Sequence, residues 1–142
     1  MPQAIWSPEL STGLAAMDDL HRHFCKTLSE QSSLPDDAFR NAYADFVATL
    51  EQAFRTEEQW MEDIEFPSLK SHREQHARVL AALHCSHSQV AQGELAVARR
   101  IVSELLPEWF IFHASTMNMA LALALQLAES PDARPATVAE YA

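Results

Sequence analysis

Glycine is scarce in this chain, two residues in 142, and the hairpin turns of sandwiches and barrels depend on it. With 48% apolar residues and long stretches of Ala, Leu, Glu and Gln, the composition predicts an all-α fold. Cysteine is equally scarce. Cys25 and Cys85 are too few and too far apart in sequence for a disulfide framework or a zinc knuckle, so both are expected to be reduced, semi-buried packing residues. Ten Lys and Arg stand against twenty Asp and Glu, leaving a formal charge of -10 and no cationic cluster for nucleic acid or an anionic membrane. No apolar run reads as long enough to span a bilayer, and the N-terminus MPQAIWSPEL lacks the charged and apolar blocks of a signal peptide. The expected compartment is the cytoplasm. The length suits one domain, 1–142, with a single core.

What the chain does hold is histidine, seven residues in all, set within helical patterns. Residues 1–13 read as an irregular arm with Trp6 as a packing anchor, because Pro8 and Gly13 interrupt helix. Met17, Leu20, His21, Phe24 and Leu28 recur at helical spacing and predict a first helix over about 15–32. A second stripe runs through Phe39, Tyr43, Phe46, Val47, Leu50, Ala53, Phe54, Glu57, Trp60, Met61 and Ile64. A third carries Leu69, His72, His76, Val79, Leu80, Leu83 and Val90, and Gly93 ends it. The fourth begins at Glu94 with Val97, Ile101 and Leu105, and Pro107 should kink it or restart it as a first-turn residue. Beyond Pro107, the residues Trp109, His113, Thr116, Met117, Ala120 and Ala124 share a face at helical spacing, as far as about Ala128. The segment from 130 to 142 has two prolines and reads as a surface tail. Four amphipathic helices joined by short turns predict an antiparallel up-down four-helix bundle.

A carboxylate or imidazole on a core stripe must be paired, hydrogen-bonded or metal-bound, because removing it from water costs several kcal/mol. His72 and His76 stand one turn apart, so both rings project to one side and can grip one ion. Alone, that pair is weak evidence. Glu57, His113 and His21 come from three other helices, and inward side chains of a bundle are a common way to hold metal. The alternative is a set of core histidines satisfied by carbonyls, with Glu57 in a buried ion pair. His23 should point away from His21 toward solvent, Glu58, Glu62 and Asp63 read as a solvated acidic face, and His84 and His87 as peripheral. Glu58 turning inward to replace a missing ligand is a second reading of that residue.

Trp6, MDDLH (17–21), FRTEEQWM (54–61), HREQH (72–76) and WFIFH (109–113) together resemble the hemerythrin and bacteriohemerythrin family, in order and spacing, over nearly the whole chain. The resemblance implies a four-helix bundle holding two non-heme irons, bridged by a glutamate, an aspartate and a solvent oxygen, with O2 bound at one iron. On the family pattern, His21 is the helix-A ligand, Glu57 the bridge, His72 and His76 the helix-C pair, and His113 the helix-D ligand. Two positions depart from it: the helix-B histidine falls on Ala53, and the bridging aspartate falls on Asn118.

Both departures deplete the same metal position, the one that binds O2 in the family. It keeps His21 and a share of Glu57, and Asn118 offers only a neutral amide oxygen in place of a bridging carboxylate. His72, His76, His113 and Glu57 form a complete four-ligand set, which suits zinc, or iron with added water. The resemblance therefore predicts a mononuclear or strongly asymmetric iron centre that binds O2, nitric oxide or peroxide for sensing, storage or delivery. The alternative is a mononuclear iron or zinc module with a structural or regulatory role and no reversible O2 binding. No separate acid, base or substrate pocket is visible, so an enzyme is the less favoured reading.

Overall fold

In a computed structural model of the chain, residues 6–129 are described; the first five residues of the expected arm and the expected tail, 130–142, lie outside them. Three uninterrupted helices come first: α1 (Ala15–Ser33), α2 (Asp36–Asp63) and α3 (Leu69–Ala91). A fourth helical stretch follows, beginning at Ala96. It combines α4 (Ala96–Arg100), α5 (Leu106–His113) and α6 (Met119–Glu129) with π turns at Ile101–Leu105 and Ala114–Asn118. No strand occurs among the described residues.

The α2 stripe predicted from spacing is the inner face of its helix: Phe39, Tyr43, Phe46, Val47, Leu50, Phe54 and Met61 are all buried. Each large apolar side chain removed from water this way contributes about 1.5–3 kcal/mol. α2 packs against α1 and α3, while the fourth stretch packs on α3 through α4 and on α1 through its first π turn and α5. The ring of contacts closes as a four-helix bundle. Gly93, in the left-handed region at φ 83°, ends α3 as expected.

Before α1, Pro8–Leu10 forms a 3-10 turn, and Trp6 packs on the core beneath the Arg22 guanidinium, 4.2 Å from its ring. The arm is tied down by Asp18, whose carboxylate accepts from Ser11 Oγ (2.6 Å), Thr12 N (2.7 Å) and Thr12 Oγ1 (2.8 Å). Burial opposes its ionisation, but these bonds outweigh burial and hold its pKa below the ordinary value. Gln126 closes the arrangement by donating to the Thr12 carbonyl at 3.0 Å. A Cβ at Gly13 would lie 2.7 Å from that Gln126 amide, and its φ is 82°, so glycine is required there.

The fourth stretch corrects three expectations. Val97 and Leu105 are exposed, and Ala98, Ile101, Val102 and Leu106 take the inner face. Beyond His113 the expected Thr116 and Ala120 are exposed, and Asn118, Leu121 and Ala122 are buried instead. The cause is the π turn Ala114–Asn118, which holds an extra residue and rotates everything after it by about one position. Pro107 sits in the first turn of α5, directly after the other π turn, so its missing N–H interrupts no α-helical ladder. Third, Ala96–Ala128 is long enough, and an 18-residue window within it apolar enough at a mean hydropathy of 1.4, to cross a membrane by length and composition. The sequence expectation weighed unbroken apolar runs, whereas this helix is apolar on average. A third of that window is buried within the bundle.

Candidate metal centre

Three of the four helical stretches deliver polar side chains to one buried point. His72 and His76, one turn apart on α3, converge with Glu57 of α2 and His113 at the end of α5, and one ligand atom from each lies within 4.8 Å of the others. All four residues are buried. The imidazole Nε2 atoms of His72 and His113 are 2.9 Å apart, and Glu57 Oε1 lies 3.1 Å from His76 Nε2 and 3.7 Å from His72 Nε2. Phe54 stacks on His76 with ring centroids 4.0 Å apart, and Trp109 stacks on His113 at 4.4 Å, which walls the cluster with apolar rings.

The outer nitrogens decide which inner ones carry lone pairs. His76 Nδ1–H donates to Glu58 Oε2 at 2.9 Å, and His113 Nδ1–H donates to Gln75 Oε1 at 2.9 Å. In a neutral imidazole the Nε2 atoms of both rings then face inward as acceptors. Burial opposes the charge on Glu57, yet hydrogen bonding from the surrounding imidazoles, His21 foremost, outweighs it and holds its pKa well below the ordinary value. Burial likewise pushes His113 down to about 3, so its ring is neutral. His76 Nε2 and Glu57 Oε1 are thus two acceptors facing each other at 3.1 Å, and His76 Nε2 has no hydrogen-bond partner. A cation between them satisfies both, and the three-nitrogen, one-oxygen set fits a zinc or iron ion.

His21 and Asn118, the other predicted site residues, lie on the far side of Glu57. His21 Nε2–H donates to Glu57 Oε2 at 2.7 Å, and the Asn118 amide nitrogen lies 3.1 Å from the same His21 atom. His21 therefore stands outside the four-donor cluster, engaged by the carboxylate. Ala53 presents a methyl group at 6% exposure to a small cavity that it lines with His21, Glu57, His113 and Asn118. That cavity gives about 10 Å³ of room to the centre of a water molecule, close to the least that one water needs.

Among the weaker candidates, His23, Glu62 and Asp63 are exposed as expected, and so are His84 and His87. Glu58 departs from the solvated-face reading. Its side chain is 20% exposed, one oxygen takes the His76 proton, and the other lies 3.3 Å from Arg73 Nε. Packing of α3 against the edge of α2 brings it there, so it acts on a ligand rather than replacing one. Gln75, which sequence reasoning missed, does the same for His113; its position between the two helix-C histidines was the only available signal. Cys25 is buried, with its thiol pKa pushed up to about 12, but Cys85 is exposed rather than semi-buried, because α3 turns that side outward.

Compared with known proteins, the chain is 38% identical over 134 residues to a protein named bacteriohemerythrin from Ralstonia nicotianae (strain ATCC BAA-1114 / GMI1000), spanning 94% of this chain and 96% of that one. No family model matches the chain, and no solved structure does.

Proposed function

The chain belongs to the hemerythrin family, and on that footing we propose that it is a non-heme iron protein with one strong metal position, taking up O2 or a related small ligand such as nitric oxide for sensing, storage or delivery. The observation that carries this reading is the buried face-to-face pair of acceptors, His76 Nε2 and Glu57 Oε1, inside a four-donor cluster. The relative's name adds the family's metal. His72, His76, His113 and Glu57 would hold the ion. When bound, ferrous iron supplies an electron and open coordination positions to a small ligand.

The chain's own groups set the surroundings. Phe54 and Trp109 exclude water from two of the imidazoles. His21 Nε2–H donates to Glu57 Oε2 at 2.7 Å beside the cavity a ligand would use, and so fixes the carboxylate on that side. The second reading, a mononuclear iron or zinc module without reversible O2 binding, is favoured by the same engagement of His21 with Glu57. Our reading places the site in a single antiparallel up-down bundle within the cytoplasm; turns of only a few residues between successive helices support the antiparallel order.

Metal content per chain, on protein purified without added metal, tests the proposal together with nitric oxide binding followed by visible absorption of the ferrous form. We expect iron near one equivalent with a nitric-oxide-dependent band; zinc alone, or iron without any such band, would favour the second reading. Two tightly held irons would overturn the single strong position.

Glu58 provides a finer test. A carboxylate that fixes the tautomer and orientation of a metal-binding imidazole is typically worth about 10–100-fold in metal affinity. Glu58→Ala should weaken binding by that factor in a competitive chelator titration, and Glu62→Ala, which removes only an exposed partner of Arg73, should leave it nearly unchanged.

A further inference from the structure

The small cavity beside Glu57 shares lining residues with two surface grooves. On one side it is bounded by Leu20 of α1 and Ala53 of α2, and these two residues also floor an open surface groove between the helices, walled by His23, Thr49, Gln52 and Thr56. On the other side is Trp109, which also borders a groove beside α3. The two barriers are unequal. Trp109 is stacked on His113 and meets Phe54 edge to face with centroids 5.7 Å apart, so its movement would disturb the cluster. The α1–α2 barrier is one methyl group and one partly buried leucine side chain on an unobstructed surface. A partly buried leucine at the surface changes rotamer more readily than a packed, stacked indole.

We propose that the groove between α1 and α2 is the passage by which small ligands reach the site, with Leu20 as its moving element and Ala53 as its opening. The inference rests on the function proposed above. The charge around the passage restricts what uses it. Asp45 stands in the groove and the chain carries a net charge of -10, so neutral diatomic molecules are admitted ahead of anions.

The test uses nitric oxide on the iron-loaded protein and dissolved O2 on the metal-free protein. In stopped-flow measurements, Ala53→Ile should slow nitric oxide association and dissociation together by roughly tenfold, leaving their ratio unchanged, and Leu20→Ala should accelerate both. Unchanged rates in both variants would move the passage elsewhere, and a change in affinity alone would mean that residue 53 acts at the site and not on the way to it. Paramagnetic relaxation by O2 under pressure needs no metal. The Ala53 methyl and the Phe24 and Phe110 ring protons, which line the cavity, should relax faster with O2 present, and Ala53→Ile should abolish the effect at both rings. Failure of the iron-loaded protein to bind nitric oxide would overturn the proposed function while this second measurement still decides the passage; no O2 effect at Phe24 and Phe110 in the parent would overturn the passage itself.

Discussion

Replacing His76 by alanine is expected to abolish tight metal binding, with the metal content of the variant after dialysis against a mild chelator falling close to zero while His23→Ala retains the parent value. The effect is large because three consequences coincide. One of four donors disappears, so the ion keeps an incomplete set. Glu58 loses the proton it accepts at 2.9 Å and no longer supports the ligand set. The ring stacked 4.0 Å from Phe54 leaves a hole, and truncations of buried side chains of this size cost about 2–5 kcal/mol. His76→Gln fills more of that space without restoring an imidazole nitrogen, so it separates loss of the ligand from loss of packing. Glu57→Ala should behave like His76→Ala, because Glu57 supplies the only carboxylate in the cluster. Retention of full metal content in the His76 variants would show that the metal lies elsewhere.

The second large effect is a gain. Ala53→His combined with Asn118→Asp should raise tight iron from about one to about two per chain. Position 53 lies one turn before Glu57 on the same buried stripe and lines the cavity that holds His21 and Asn118, so an imidazole there joins His21 on the far side of the carboxylate. Asparagine to aspartate is nearly isosteric and adds the negative charge that two divalent ions need in a medium of low dielectric. Space opposes the change. With about 10 Å³ of free room, the new ring must displace Leu20 toward the α1–α2 groove, and overpacking of a core typically costs about 1–3 kcal/mol. The variant should therefore melt below the parent without metal and recover much of that loss with two irons bound. A well-folded variant that still holds one iron would mean that His21 cannot leave Glu57.

The metal-binding face was readable because helical periodicity is a local property. Four residues along α3 bring His72 and His76 to one side whatever else the chain does, and Glu57 among Phe54, Trp60 and Met61 marks a carboxylate that cannot face water. The pairing of four amphipathic helices into a bundle follows from the same stripes and from the shortness of the turns. The two departures from the family pattern, Ala53 and Asn118, are likewise visible in the sequence alone.

Other features depend on how the helices meet. Asn118 points inward because the π turn Ala114–Asn118 inserts a residue, and nothing in the spacing of ASTMN announces that turn. A strict 3.6-residue count assigns the inner face to Thr116 and Ala120 and fails. Glu58 sits at the border between α2 and α3, where periodicity alone cannot separate a solvated acid from one that holds a buried imidazole; the approach of His76 and Arg73 from α3 makes the choice. His21 appears on the sequence as one ligand among five, and its preference for Glu57 Oε2 at 2.7 Å is a distance between two helices. The sequence by itself thus determined the helices, the inner faces of the first three and the chemistry available to the core, because these follow from local spacing. Only the tertiary structure decided which donors converge on one point, which of them are engaged by each other, and where the cavity opens, because each is a relation between residues 15 to 97 positions apart.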